Sequence, residues 1–541
     1  MNQANPIILC TLNAKYIHAS LGLRYLLANM GALRAQTELR EFTIARKTQE
    51  VADALLALNP KVIGFGVYIW NVTQTCALVR LIKMQRPDIQ IVLGGPEVSH
   101  ETDQQEIVRL ADHVITGWGD VSFPKLCRSL LHGPRPLMKI VAGEQPPLAH
   151  IALPYSEYSD ADLAHRVVYV EASRGCPFKC EFCLSSLDKT AWAFELDPFL
   201  DALETLYQRG ARTFKFVDRT FNLKIDASIR ILQFFLDKLA PSGGSAAHAV
   251  ASVGASLFVH FEVIPDHLPD KLKEKIAEFP PGVLQFEMGI QSFNVEVQQR
   301  ISRRQDNAKT EANLAWLVAH SHAHLHTDLI FGLPGESMAS FAEGFDRLYA
   351  LKPHEIQLGM LKRLRGTPIA RHTIEYAMVY AAQTPYTVQQ TSVVSLADMQ
   401  RFTHLARYWD LIANSGRFTA TLSAILRVSS IYPSPFKTFL GLSDWLWART
   451  QTTGHLTPEV LVDALFDYLT VVRQTSAEAA RANLLADYLH SGARASPQSL
   501  KAVLPRRAVA ATKPVRQLIH RQTRHGAGDR SAPSPTRSHP P

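Results

Sequence analysis

The chain is expected to be an α/β protein in three successive parts: a doubly wound parallel-sheet domain, a (β/α)6 partial TIM barrel and a mainly helical C-terminal region. Short apolar runs alternate with helical patterns over about residues 6–130 and again over 166–370, and beyond Arg371 the apolar period becomes that of helices. At 541 residues the chain is too long for one core, and a 46% hydrophobic composition supplies material for several.

In the first part, residues 1–135, the runs PIILCTL, LREFTI, KVIGFGVYI, IQIVLGG and HVITG read as strands between helical patterns such as HASLGLRYLLANM and DVSFPKLCRSLL. Parallel sheets bind ligands at the carboxyl ends of their strands. Those ends carry TLN, YIWN, GGPE and TGWGD, which are small, polar or aromatic rather than more core. Residues 136–165 hold HGPRPL, EQPPLAH and LPYSEYSD, a Pro-rich polar stretch that reads as a linker.

In the second part, residues 166–370, six strands are expected at RVVYVEAS, TFKFVD, LFVHFEVIP, VLQFEMGIQS, HTDLIFGLPG and EIQLGML, with the active site at their carboxyl ends. APSGGSAAHAVASVGAS, before the third strand, reads as a loop. In the third part, residues 371–504, Met399, Phe402, Leu405, Trp409 and Ile412 share one helical face, with Asp398 near its start and Gly416 past its end. Trp445 and Trp447 are expected in the core.

The net charge of +8 is a property of the tail: residues 505–541 contain eight Arg or Lys and one Asp, a local +7 that leaves +1 for the rest. Poor in large apolar residues, this basic tail is expected to be disordered, with polyanion binding as the alternative to simple solvation. No run of about 18 apolar residues occurs, and MNQANPIILCTLNAKY lacks a signal peptide's basic and apolar regions. A cytoplasmic protein without membrane insertion is expected.

Six cysteines are too few for a disulfide scaffold, and three of them, Cys176, Cys180 and Cys183, form a C-x3-C-x2-C loop after the first barrel strand. A 4Fe-4S cubane ordinarily takes four thiolates, so three leave one iron open. Structural zinc wants four closed ligands in paired spacing, and no second pair is present. Cys10, Cys76 and Cys127 are scattered and read as small buried hydrophobes. His320, His322, His324 and His326 straddle a helix end and a strand, and a surface turn is expected there.

ASRGCPFKCEFC resembles the radical S-adenosylmethionine (SAM) signature, and the resemblance extends over about residues 166–370. HFEVIPD, EMGIQSFNVEVQQRISR and TDLIFGLPGE are similar, in the same order, to barrel segments of oxygen-independent coproporphyrinogen oxidases and related radical SAM enzymes. The resemblance implies a 4Fe-4S cluster on the three cysteines, whose open iron chelates SAM and cleaves it reductively to methionine and a 5′-deoxyadenosyl radical. By position it implies SAM contacts at Glu262, Gln291, Arg303 and Asp328. Arg303 suits the SAM carboxylate, Glu262 and Asp328 its amino or ribose hydroxyl groups, and Gln291 can bridge donor and acceptor.

Phe182 can cover the cluster or the adenine, and Gly332 and Gly335 of GLPGE let backbone approach the ligand. FVDRTFN stands where many radical SAM enzymes carry a GGE-like motif for the SAM amino group, so Asp218, with Arg219 and Asn222, is taken as its substitute. An electron donor such as flavodoxin or ferredoxin is implied.

The N-terminal part resembles the cobalamin-binding domain of the B12-dependent subgroup, chiefly through LGGPEVSH and HVITGWGD. This implies cobalamin at Gly94, Gly95, Gly117 and Asp120, with TGWGD similar to the subgroup's GEGE-type turn. Some cobalamin proteins ligate cobalt through D-x-H-x-x-G; here LNAKYIHASLG has Tyr16 in the Asp position, and His18 is taken as a pocket residue. The helical region resembles an uncharacterised C-terminal extension of some B12-binding radical SAM proteins. The implied function is a cobalamin-dependent radical SAM methyltransferase acting on an unactivated carbon or phosphorus centre. Alternatives are a B12-dependent rearrangement or cyclisation, a methylthiotransferase-like enzyme with a second cluster on Cys10, Cys76 and Cys127, and a non-catalytic cobalamin or cluster sensor.

Overall fold

A computed structural model describes residues 6–239, 257–491 and 496–504. The insertion expected as a loop, residues 240–256, and the basic tail lie outside the described residues.

Strands β1 (Ile7–Asn13), β2 (Thr37–Thr43), β3 (Val62–Gly66), β4 (Gln90–Gly94), β5 (His113–Thr116) and β6 (Ile140–Ala142) form one parallel sheet. Its order is β2-β1-β3-β4-β5-β6, so the winding direction reverses between β1 and β3 and a crevice opens at their carboxyl ends. Both faces are covered, as an all-parallel sheet requires. Ile8, Cys10 and Leu12 pack into one core with Leu78, Val79 and Ile82, while Ile7 and Leu9 pack into the other with Phe123, Leu126 and Cys127.

Residues 136–165 do not form the expected linker. Ile140–Ala142 pairs with β5, Val114 opposite Ile140 and Thr116 opposite Ala142. Further on, the buried Tyr155 and Tyr158 donate their hydroxyls to the carbonyls of Glu171 (3.1 Å) and Tyr169 (2.8 Å). The prolines and polar residues that suggest a solvated linker serve tight turns and ion pairs instead. A Ser159–Asp162 capping box opens the helix Asp160–His165. Asp162 then joins the buried Arg24, Glu41 and Arg166: Arg24 Nη2 lies 2.9 Å from both carboxylates, and Arg166 Nη1 lies 2.7 and 3.0 Å from them.

Burial alone would raise the Asp162 carboxyl, but Arg24 and Arg166 outweigh it and take it down to about 2. A carboxyl depressed in the folded state stabilises above its unfolded pKa and stops doing so as pH falls through the folded one. Urea midpoints are therefore expected to fall between about pH 4 and pH 2, and Asp162→Asn should remove part of that slope.

The second sheet contains β7 (Val168–Val170), β8 (Thr213–Phe216), β9 (Phe258–Val263), β10 (Leu284–Gln291), β11 (His324–Phe331) and β12 (Glu355–Met360). All pairings are parallel and the order is sequential, with β7 and β12 at the edges: an open six-stranded partial barrel, as expected. Alternation sorts the side chains. Phe214, Phe216, Phe261 and Phe286 form an aromatic layer on the helix side. Lys215, Glu262, Glu287 and Asp328 occupy the intervening positions and face inward.

The four histidines part company because β11 begins at His324. His320 stacks on Trp316 and His322 is exposed, in keeping with a turn. His324 and His326 lie instead on the strand, His324 Nε2 2.8 Å from Glu355 and His326 Nε2 3.3 Å from Asp328.

The C-terminal region is mainly helical, with helices Leu396–Ile412, Thr419–Ile425, Pro435–Thr450, Pro458–Asp467 and Ala477–His490. The first covers the open edge of the barrel: Phe402 stacks on Phe331, and Trp409 Nε1 donates to the Ile356 carbonyl at 2.9 Å. Trp445 and Trp447 pack against the core. Among the described residues no helix is long and apolar enough to cross a membrane.

Candidate active site

The cysteine loop follows β7 and is shaped by Gly175, whose φ is +84°. A Cβ there would lie 2.6 Å from Thr190 Oγ1 and 2.8 Å from the Ala191 nitrogen, so glycine is required on both counts. Cys176 N donates to the Asp188 carbonyl (2.8 Å) and Cys183 N to that of Cys180 (3.1 Å). Between the ligands, the buried Glu181 carboxylate accepts from Ser302 Oγ (2.6 Å) and Arg371 Nη2 (2.5 Å), with His372 Nε2 at 2.8 Å. The loop is thus tied to the segment that follows β10 and to the segment after the barrel.

Cys176, Cys180 and Cys183 line one cavity of about 240 Å³ together with Phe182 and all four residues expected to bind SAM. Burial pushes the Cys176 thiol up to about 11 and raises that of Cys180, where Arg303, its Nη1 3.6 Å from Sγ, works in the opposite direction. Among the described residues no three His, Cys, Asp or Glu side chains are gathered tightly enough for a single metal ion. Three thiols around one cavity, with no fourth cysteine beside them, suit an iron-sulfur cluster that keeps one iron open.

Gln291 ends β10 with φ +69°, at the register shift between Gly289 and Gln291. Such a bulge re-aims the side chain, and Gln291 Oε1 is buried in the cavity with no hydrogen bond. Asp328 Oδ1 also lacks a well-aligned hydrogen bond, although His326 stands 3.3 Å away. Buried polar atoms left this way mark places where a ligand completes the pairing. Arg303 is held by Gln305 Oε1 (3.0 Å from Nε, 2.8 Å from Nη2) and by the Gly289 carbonyl, while Glu262 accepts from Arg219 Nη1 at 2.7 and 2.9 Å. The set fits a ligand bearing ammonium, carboxylate and hydroxyl groups, as SAM does.

Asp218 is not part of this set. It is buried beneath the loop, accepting from Ala172 N (3.1 and 3.0 Å) and Ser173 Oγ (2.6 Å), and burial lifts its carboxyl to about 7. Asn222 likewise braces backbone, accepting from Ile264 N at 2.7 Å. From that motif Arg219 and Thr220 reach the cavity. Gly332 and Gly335 do not line it; a Cβ on Gly332 would meet Val388 Cγ1 at 2.5 Å, so this glycine serves packing with the segment after the barrel. Sequence reasoning missed Glu287 and Gln305, whose only signal is an ordinary alternating position and a loop position after Arg303.

A larger cavity, about 410 Å³, opens at the carboxyl ends of the N-terminal strands and is closed from the other side by the loop that follows β7. Gly94, Gly95, Gly117 and Asp120 all line it, beside Tyr68, Trp118 and Phe123. Gly117 has φ +73° and a Cβ there would meet nothing within 4 Å, leaving space over bare backbone for a flat macrocycle. Gly95 has a different reason: its Cβ would stand 2.5 Å from the Val67 carbonyl. Asp120 is a paired group, accepting two bonds from Arg174 at 2.8 and 3.1 Å.

His18 does not line this cavity, and no histidine does among the described residues. After β1 the chain turns through the exposed Tyr16 and Ile17 and bridges to Val167, which sets His18 Nδ1 2.7 Å from Tyr169 OH. His18→Ala is accordingly expected to leave corrinoid retention after desalting unchanged while costing about 1 kcal/mol of stability. A second cluster finds no support either. Cys10 and Cys127 are buried on opposite faces of the N-terminal sheet, and Cys76 is packed with the Cys10 side.

Three family models match in succession: the B12 binding domain over residues 8–127, the Radical SAM superfamily over 170–348, and a protein of unknown function, DUF4080, over 374–525. The cobalamin-dependent radical SAM methyltransferase TokK of Streptomyces tokunonensis is 23% identical over 58% of this chain and 48% of its own length. The chain spans about half the length of the curated relatives it matches. Among solved structures, the cobalamin-dependent SAM radical enzyme OxsB with aqua-cobalamin bound has a TM-score of 0.59 at 13% identity, over 92% of this chain and 82% of that one. TsrM, a radical SAM methyltransferase from Kitasatospora setae with tryptophan substrate and a SAM analogue bound, has 0.53 at 16%, over 67% and 75%. Such domains carry a 4Fe-4S cluster, SAM and cobalamin as cofactors. The chain is a B12-binding radical SAM protein with a C-terminal domain of unknown function.

Proposed function

We propose that this chain is a cobalamin-dependent radical SAM methyltransferase. The observation that carries the reading is that the cavity built from cysteines, Glu262, Gln291, Arg303 and Asp328 abuts the glycine-lined cavity of the N-terminal domain, with Arg219 in both walls. Bound together, the three cofactors supply reductive cleavage of SAM and a transferable methyl group. The protein's part is placement. Cys176, Cys180 and Cys183 would hold the cluster, Arg303 the SAM carboxylate, and Glu262 and Asp328 its amino or hydroxyl groups. Gly94, Gly95 and Gly117 would seat the corrinoid, and the aromatic rings around both cavities exclude water. The names of TokK and TsrM support methyl transfer. The same reading places the enzyme in the cytoplasm with a flavodoxin or ferredoxin as reductant.

The test is anaerobic reconstitution followed by reductive incubation with methyl-deuterated SAM and hydroxocobalamin. Formation of 5′-deoxyadenosine and arrival of deuterium in the retained corrinoid are expected. A loaded cluster that yields no 5′-deoxyadenosine would sink the radical reading and leave a sensor. Cleavage without label in the corrinoid would sink methyl transfer and leave a rearrangement or cyclisation.

A further inference from the structure

Among the described residues Arg219 alone lines both cavities. It lies just beyond β8, its side chain about half exposed (51%), and its ion pair is with Glu262. The other charged groups facing the larger cavity are committed elsewhere. Asp120 and Glu171 both serve Arg174, and Asp188 accepts from Trp118 Nε1 and Thr190 N. In the smaller cavity Glu287 is paired with His260 and Lys215, Arg303 is held by Gln305, and Arg304 reaches that cavity but not the larger one. Arg219 therefore has Glu262 as its ion-pair partner, with Glu287 and Cys183 acting on it without a direct bond, and that partner is one assigned above to SAM.

SAM brings an ammonium group and ribose hydroxyls, both of which draw on a carboxylate such as Glu262. Once Glu262 is so engaged, a guanidinium at the seam between the cavities has lost its hydrogen-bonded carboxylate while remaining half desolvated, and an anion that restores the paired bonds becomes favourable. A guanidinium binds carboxylate and phosphate alike through paired N–H donors. We propose that Arg219 is a specificity residue that receives an anionic group of the substrate, a carboxylate or phosphate, and that Glu262 holds it in reserve until SAM binds. This deepens the methyltransferase reading and rests on its assignment of Glu262 to SAM. It makes the acceptor an anion and the binding order SAM first.

The test uses the full chain loaded with cluster and hydroxocobalamin, with the cluster left oxidised so that SAM stays intact, and calorimetric titration of SAM, inorganic phosphate and acetate. In the wild type, SAM is expected to tighten binding of at least one of the two anions by about tenfold or more, the usual scale of coupling between sites. Arg219→Gln should abolish that binding while keeping SAM affinity and corrinoid retention. Glu262→Gln should bind the anion without SAM. Anion binding that survives in Arg219→Gln, or is absent from the SAM-loaded wild type, overturns the proposal. So does loss of corrinoid or of SAM affinity in Arg219→Gln, which would make Arg219 a cofactor contact. The Glu262 reading is judged separately, by SAM affinity alone: if Glu262→Gln binds SAM as well as the wild type does, that assignment fails and the reserve role of Glu262 falls with it, whereas Arg219 stands or falls on the anion titration.

Discussion

Alanine at Cys176, Cys180 or Cys183 is expected to reduce iron after anaerobic reconstitution from about four atoms per chain to background, and to abolish SAM cleavage. The effect should be all or none because a cubane with two protein thiolates has no substitute nearby. Cys10 and Cys127 are buried in the other domain on opposite faces of its sheet, and burial holds the Cys127 thiol up at about 12. Folding should survive, since the three cysteines face a cavity and the loop is fastened by Gly175, Ser186 and the Glu181 network rather than by the thiols. Corrinoid retention is the control: the single variants should keep it. Wild-type iron in any one of them would remove that cysteine from the site, and about eight irons in the wild type would restore a second cluster.

The three cysteines were legible because their spacing is local and lies directly after a strand. The barrel was legible for a related reason: each strand, from Val168–Val170 to Glu355–Met360, carries its own apolar run. β6 carried no such signal. Its three residues, Ile140–Ala142, sit among prolines, and what makes them a strand is an open edge on β5, which no local pattern reveals.

The site shows the same division. Arg303 and Gln291 line the cavity that the three cysteines share, but the bulge that aims Gln291 inward comes from pairing β10 with β11. Asp218 and Arg219 are neighbours in the sequence, yet one turns beneath the loop and the other enters both cavities. His18 fails likewise. Once a chain leaves a strand, the packing of the next element decides where each loop side chain points.

That dependence on packing makes Arg174 the second large effect: Arg174→Met is expected to cost roughly 3–5 kcal/mol and to release corrinoid on desalting, with iron loading largely kept. The guanidinium lies over Tyr25 (4.2 Å) and Trp118 (5.0 Å), bonds Asp120 of the N-terminal domain and Glu171 at the end of β7, and stands two residues before Cys176. Burial works against its charge, and Glu171 and Asp120 more than restore it. Removing the cation strands two buried carboxylates in the wall of the larger cavity. Burial already raises the Glu171 carboxyl, so in the variant it should take up a proton, and a carboxyl raised in the folded state loses stability as pH rises through its folded pKa. The variant's urea midpoint should therefore fall with increasing pH more steeply than the wild type's, because Arg174 no longer opposes the effect of burial on Glu171. Lysine should rescue only in part, because an ammonium cannot meet both carboxylates with the fork geometry of arginine. A variant that loses stability but retains corrinoid would make Arg174 a domain clamp alone, whereas loss of both ties the seating of the corrinoid to the loop that carries the cysteines.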